Sequence, residues 1–166
     1  MQTVRENLFS GQVPRRIVIG LVDTEAFSGK ISKNPFNFQH YDLNFLCAHV
    51  DGERFPSRPL TPDFDNGHFL EAYETLFVGT GVYNTDRTID IKRQEFAHGY
   101  AMYIIRLMPG EPDAPSFDLV QNGSVRLELK FKDPIPSTAT AIVYAEFDSL
   151  VEIDRERNVT MDYWFV

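Results

Sequence analysis

Eight residues from position 125 to 132 alternate without exception between apolar and charged side chains. In chain order they are Val125, Arg126, Leu127, Glu128, Leu129, Lys130, Phe131 and Lys132. A period of two is typical of a β-strand that turns one face to a core and the other to solvent. Pro134 and Pro136 end the strand, because proline cannot donate a ladder hydrogen bond. A second apolar run at 139–147 predicts a further strand, so this part of the chain has the pattern of an antiparallel sheet protein.

The composition favours strands over helices as the main elements. The chain has 166 residues, of which 43% are hydrophobic, enough for one domain with a sizeable core. Its 14 phenylalanines, 7 tyrosines and 10 prolines suit strands joined by loops, whereas proline would interrupt the helices of a bundle. We therefore treat residues 1–166 as a single domain.

The charge balance and the N-terminal sequence argue against several classes of protein. With 16 basic and 24 acidic residues the net charge is -8, which repels a phosphate backbone, so we expect no direct nucleic-acid binding. The N-terminus lacks the basic and apolar segments of a signal peptide, and no apolar run approaches the ~18 residues of a membrane span. We expect a soluble intracellular protein that is not secreted.

The Asp51-Gly52 dipeptide gives the strongest local signal in the chain. Both residues tolerate a positive φ, which a tight hairpin turn requires, so 43–50 and 53–58 are predicted to pair. Asn122-Gly123 predicts another hairpin turn, between a strand at 117–120 and the alternating strand that follows.

The N-terminal quarter is predicted to contain one strand between two irregular segments. Residues 1–14 form a polar segment that leads into the barrel, and 16–22 form a buried strand in which Gly20 permits a close approach. Residues 23–38 form a long loop, which we expect to pack on the body of the protein through Phe27, Phe36 and Phe38.

A helix is predicted after residue 62, where the apolar spacing changes. The residues on its apolar face are Phe69, Leu70, Tyr73, Leu76 and Phe77. Asp65 is the predicted N-cap, Phe64 packs on Phe69 as a hydrophobic staple, and Gly79 or Gly81 ends the helix. A shorter helical turn is predicted within 88–98, with Asp90 as its cap, before a strand at 100–107.

The succession of elements indicates the fold class. About eight antiparallel strands, with one or two short helices in the loops between them, predict an all-β protein built as a single jelly-roll sandwich or barrel. Residues 155–166 form a C-terminal tail.

The residue types that carry chemistry do not form a recognisable catalytic or metal-binding motif. The four histidines, His40, His49, His68 and His98, are scattered without a His-x-His pair, so we predict no metal site. Cys47 lies in an apolar run, which predicts a small core side chain with no activating neighbour. No glycine-rich phosphate loop is present. We therefore expect no catalytic residue and no cofactor, and predict that the protein is not an enzyme.

Two pairs of carboxylates are functional candidates. Glu146 with Asp148, and Glu152 with Asp154, each fall on one face of a predicted strand. Such pairs serve in glycosidases and calcium sites, but they also form the solvated face of a sheet or a subunit contact. The second interpretation is favoured, since no other residue of a catalytic site accompanies them.

Seven segments, taken together and in order, resemble one family. They are residues 7–11, 14–20, 34–41, 72–77, 99–101, 143–147 and 152–155. The sequence of these segments is similar to the C-terminal part of the major capsid proteins of Polinton/Maverick elements and adintoviruses. The resemblance covers almost the whole chain.

The resemblance implies a structural role in a virion. Members of the family are double jelly-roll proteins, which form trimeric, pseudo-hexagonal capsomers, whereas this chain has room only for the second, C-terminal jelly roll. The implied partners are the missing N-terminal jelly roll and other capsid subunits, in a homotrimer. The candidate subunit-contact residues are Glu152, Asp154, Tyr163, Trp164 and Phe165.

An alternative function is left open by the residues. A single jelly roll can act as a non-catalytic binding module for a glycan or a protein ligand, presented through Tyr163, Trp164 or loop aromatics. Such a module would be consistent with a domesticated viral gene.

Overall fold

A computed structural model describes residues 2–108, 120–135, 139–149 and 151–161. These residues form nine strands and three helices. The strands are β1 (Gln2–Gln12), β2 (Arg16–Asp23), β3 (Leu43–Val50), β4 (Glu53–Leu60), β5 (Met102–Arg106), β6 (Asn122–Phe131), β7 (Ala139–Glu146), β8 (Val151–Ile153) and β9 (Val159–Met161). The helices are α1 (Thr24–Phe27), α2 (Leu70–Thr80) and α3 (Arg93–Ala97).

The first seven strands form two antiparallel sheets that share one core. One sheet has four strands in the order β1-β6-β3-β4, and the other has three in the order β5-β2-β7. Residues from both sheets, including Ile17 and Ile19 of β2 and Leu46 of β3, belong to a single buried cluster. The protein is therefore an all-β sandwich with few helices, as the sequence predicts. Strands β8 and β9 form a separate hairpin.

The order of the strands is that of a jelly roll with one strand absent from the described residues. In an eight-stranded jelly roll lettered B to I along the chain, the sheets have the orders C-H-E-F and B-I-D-G. Strands β1-β6-β3-β4 correspond to C-H-E-F, and β7-β2-β5 correspond to I-D-G. The place of strand B, beside β7, has no counterpart among the described strands.

The alternating run places its apolar side chains in the core, as predicted. Val125, Leu127, Leu129 and Phe131 of β6 are all buried, because β6 lies between β1 and β3 and faces the other sheet. The second predicted strand, β7, lies in the opposite sheet and pairs with β2. The two strands are thus consecutive in the chain and face each other across the core.

The predicted hairpin at Asp51-Gly52 and the predicted close approach at Gly20 are confirmed. Asp51 and Gly52 have φ values of 48 and 92° and join β3 to β4. A Cβ atom at Gly20 would lie 2.6 Å from the Phe38 ring, so the glycine allows that ring to pack on β2.

The caps predicted for the two main helices are wrong. Phe69, without a side-chain hydrogen bond, occupies the N-cap of α2, and Lys92 occupies that of α3. Asp65 instead forms an ion pair with Lys132, and Asp90 precedes the cap of α3 by two residues. The Phe64 and Phe69 rings do stack, 5.0 Å apart, and Gly81 ends α2 with a φ of 80°.

Four predictions for loops, turns and termini also differ from the structure. Most of the segment predicted to lead into the barrel is strand β1, which pairs with β6 despite its polar sequence. Asn122 and Gly123 are the first residues of β6 and pair with β1, so they do not form a hairpin turn, and 117–119 lie outside the described residues. Phe27 and Phe36 are exposed, so of the three ring residues assigned to the loop only Phe38 packs on the sheet. The predicted C-terminal tail contains β9.

Candidate functional site

The outer edge of β7 is unpaired among the described residues. Strand β7 pairs with β2 on one side, and no described strand lies on the other. A row of free backbone donors and acceptors on such an edge is a template for another strand. The exposed ring of Tyr144 stands on this strand.

The side chains of β7 that face the core are incompletely covered. Val143 lies opposite Ile19 and Ala141 lies opposite Leu21, and directly opposed residues share a face of the sheet. Ile19 and Leu21 are buried, whereas Val143 is half-buried and Ala141 is exposed. Among the described residues, the sandwich is therefore open along β7.

The β1 side of the other sheet is open in the same way. Val4 lies opposite the buried Leu129 and is only half-buried, and Glu6 lies opposite the buried Leu127 and is exposed. In a jelly roll the place of strand B faces strand C, which corresponds to β1. One additional strand beside β7 would cover the exposed inner faces of both β7 and β1.

The β8–β9 hairpin presents an apolar face to solvent. Ile153 pairs with Val159, and Val151 lies two residues before Ile153 on the same face. The exposed fractions of Val151, Ile153 and Val159 are 47%, 69% and 60%. Among the described residues, β8 and β9 pair only with each other. The three side chains make this face of the hairpin a candidate interaction site.

The structure separates the predicted contact residues Glu152 and Asp154. Glu152 lies on the polar face of the hairpin, opposite Thr160. Asp154 follows β8 and shapes the turn, since its two carboxylate oxygens accept hydrogen bonds of 2.8 Å from the backbone nitrogen and the side-chain amide of Asn158. These hydrogen bonds lower the pKa of Asp154 below its usual value. Tyr163, Trp164 and Phe165 lie outside the described residues.

The other carboxylate pair forms ion pairs with arginines near the start of β2. Glu146 accepts from Arg16 at 2.8 Å, and Asp148 accepts from Arg15 at 3.3 Å. These contacts tie the end of β7 to β2, which gives both acids a structural role.

A cluster of three potential metal ligands lies on the outer face of the four-stranded sheet. Cys47 and His49 are two residues apart on β3, and Glu128 is on the adjacent β6. The Cys47 Sγ is 3.4 Å from His49 Nε2, which is 3.2 Å from Glu128 Oε2, and all three ligand atoms lie within 4.8 Å of one another. Cys47 is fully buried and Glu128 is 7% exposed.

Positive side chains surround the carboxylate of this cluster. Arg5 of β1 donates to Glu128 Oε1 through Nε and Nη2, at 3.3 and 3.0 Å, and the Lys130 Nζ is 3.5 Å from the same oxygen. Burial raises the pKa of Glu128, but hydrogen bonds from Arg5 and His49 outweigh it, so the pKa lies below its usual value. Burial and the Glu128 charge raise the pKa of the Cys47 thiol.

Sequence reasoning missed this cluster. Glu128 was assigned to the solvent face of its strand, and Cys47 to the core. The signal in the sequence is the Cys47-x-His49 spacing, which places both side chains on one face of a strand. The third residue is 79 positions away from His49, and only the register of β3 with β6 brings it close.

A groove of about 300 Å³ lies between β4, α2 and β5. Its lining includes the apolar side chains of Leu60, Val78 and Ile104. The charged side chains of Arg58 and Glu74 also line it. A small ligand of a binding module could enter here, so the groove is where that alternative can be tested.

None of the described helices is long and apolar enough to cross a bilayer.

Comparison with known proteins yields one informative relative. The chain is 35% identical over 159 residues to the uncharacterized protein F54H12.2 of Caenorhabditis elegans. The match covers 93% of this chain and 38% of the relative. No protein-family model matches the chain. No solved structure matches it either.

Proposed function

We propose that this chain is the C-terminal jelly-roll half of a major capsid subunit of the Polinton/Maverick and adintovirus type. It acts through packing and subunit contacts in a virion and carries out no catalysis. Its partners are an N-terminal jelly roll in the same subunit and neighbouring subunits of a homotrimer.

The observation that carries the proposal is the strand order with its open position. Seven strands follow the jelly-roll order, and the inner faces on both sides of the missing position are incompletely buried. In the proposal, the missing strand comes from the part of a longer protein that precedes residue 1. The length of the relative, of which the match covers 38%, is consistent with a longer polypeptide.

The β8–β9 hairpin supplies the contact with a neighbouring subunit in this proposal. Its apolar face, formed by Val151, Ile153 and Val159, is exposed, and Glu152 lies on the opposite face of the hairpin. Exposed apolar surface on a hairpin that extends from the fold is typical of a subunit contact.

The test is the oligomeric state of the longer protein that contains this chain. We expect a trimer by size-exclusion chromatography with light scattering. Replacing Ile153 and Val159 together by serine should give monomers, because the contact loses its apolar side chains. Glu156→Ser, in the exposed turn of the same hairpin, is the matched control and should leave the trimer intact.

A strictly monomeric longer protein would contradict the capsid proposal. A trimer that survives the double serine variant would keep the capsid proposal but remove the hairpin from the contact. The predicted role of Glu152 is tested by Glu152→Lys, which should weaken the trimer less than the double variant, because Glu152 lies on the polar face.

A further inference from the structure

We propose that Cys47, His49 and Glu128 form a zinc-binding site that joins β3 to β6 on the outer face of the four-stranded sheet. The site is independent of the capsid proposal, since its three residues lie away from both the β7 edge and the hairpin. Water would fill the fourth coordination position of the zinc ion.

Two of the three distances between the ligand atoms are close to those of tetrahedral zinc, and the third is within 4.8 Å. Bonds of ~2.3 Å to sulfur and ~2.1 Å to nitrogen and oxygen place neighbouring ligand atoms roughly 3.4–3.6 Å apart in a tetrahedron. The two measured separations, 3.4 Å from Sγ to Nε2 and 3.2 Å from Nε2 to Oε2, are close to these values. A rigid sheet holds the ligands, because β3 and β6 are paired along this stretch.

The chemistry of the three donors also suits zinc. A thiolate, an imidazole and a carboxylate are the ligand types that zinc takes in proteins. On binding, the Cys47 thiol releases its proton to solvent, and the His49 proton moves from Nε2, where it is donated to Glu128, to Nδ1, so that Nε2 can bind the metal. The ligands then carry two negative charges, which balance the ion. The net charge of the cluster therefore changes only from about -1 to 0, a small change for the neighbouring cations.

Arg5 orients the carboxylate without occupying the oxygen that zinc requires. It donates twice to Oε1 of Glu128, while Oε2 faces His49. A cation that fixes one carboxylate oxygen in this way acts as an outer-shell partner, and such partners contribute to metal affinity. Arg5 is a positioning residue in this proposal.

The test is metal binding by the purified, metal-free chain. We expect one Zn²⁺ per chain by isothermal titration calorimetry. We also expect Co²⁺ to give a thiolate-to-metal charge-transfer band in the near ultraviolet. Zn²⁺ should raise the melting temperature, whereas Mg²⁺ should not, since it prefers oxygen ligands. Because the thiol proton must leave, the affinity should rise as the pH is raised.

Variants separate this site from adventitious binding. Cys47→Ser should abolish the charge-transfer band, and His49→Gln should weaken Zn²⁺ binding by at least about 10-fold. His98→Gln, at an exposed histidine outside the cluster, is the matched control and should bind as the wild type does. Absence of Zn²⁺ binding to the wild type would overturn the proposal, as would unchanged binding by His49→Gln. If Cys47→Ser does not fold, the Co²⁺ spectrum of the wild type decides, and the absence of a thiolate-to-metal band overturns the proposal.

Discussion

The two edges of the three-stranded sheet differ in how they are covered. At the β5 edge, helix α2 lies against the strand, and the Thr75 Oγ1 accepts a hydrogen bond of 3.3 Å from the Ile104 backbone nitrogen. Arg16 of β2 also donates to the carbonyl oxygen of Gly79 in α2, at 2.9 Å. The helix satisfies part of the strand edge and protects it from pairing with another chain.

The β7 edge has no such cover among the described residues. Its inward-facing Val143 is half-buried, although Ile19, directly opposite, is fully buried. The comparison teaches that the burial of a strand depends on its neighbours more than on its own apolar residues. A sheet edge that is left open in this way is available for a further strand.

The largest expected change in stability is for a variant at the β5 edge, where α2 covers the strand. Gly79→Ala should lower the free energy of unfolding by about 1–3 kcal/mol, because its new Cβ would overlap the Ile104 side chain of β5. Alanine favours a helix interior over glycine by about 1 kcal/mol, so steric overlap must exceed that gain. Urea denaturation of the purified chain measures the change.

The neighbouring Val78→Ala variant is the control for this experiment. Val78 is exposed on the same helix, so its truncation should change the unfolding free energy by less than about 0.5 kcal/mol. A Gly79→Ala chain that is more stable than the wild type would show that α2 does not pack tightly on β5.

The second prediction compares equivalent truncations at a covered and an open strand. Val125→Ala on β6 should cost about 2 kcal/mol, because Val125 is fully buried. Val143→Ala on β7 should cost less than about 1 kcal/mol in this chain, since water already reaches the side chain.

The same pair of variants can also be compared in a longer protein that contains this chain. If a further strand covers β7 there, the cost of Val143→Ala should approach that of Val125→Ala. Equal costs in the 166-residue chain itself would mean that β7 is already covered, and the open edge would be disproved.

The smallest change in stability is expected for a variant of the β8–β9 hairpin, which follows β7 in the chain. Asp154→Ala should speed hydrogen exchange of the hairpin amides and leave the melting temperature unchanged, because Asp154 contacts only its own turn in the described contacts. The pKa of Asp154 is lowered in the folded chain. The contribution of the Asp154 carboxylate to the stability of the hairpin is therefore complete above the ordinary aspartate pKa. It is lost as the pH falls through the lowered value.

Hydrogen exchange measured by NMR at neutral and acidic pH checks this prediction. The wild-type hairpin should exchange as the alanine variant does once Asp154 is protonated. A large fall in melting temperature in the variant would show that the hairpin packs on the sandwich.

Local patterns in the sequence predicted those features that depend on neighbouring residues alone. The alternation at 125–132 predicted the buried face of β6, and Asp51-Gly52 predicted the β3–β4 hairpin. Strand β1 was missed because its sequence is polar, and pairing with β6 supplies the stability that its own side chains do not. The caps of α2 and α3 were missed because each helix begins later than its local pattern predicts, at Leu70 and Arg93.

What the sequence by itself determined is the period of the strands, the tightest turn and the sandwich class, since these follow from side-chain alternation and backbone preferences within a few residues. The convergence of Cys47, His49 and Glu128 depends on the register of β3 with β6, and the covered β5 edge and the β7 edge left open among the described residues depend on the order of strands and helices in space. The physical reason is that strand register and sheet order are set by burial summed over the whole chain. Segments that are distant in sequence become neighbours only in the register that buries the apolar face of each strand.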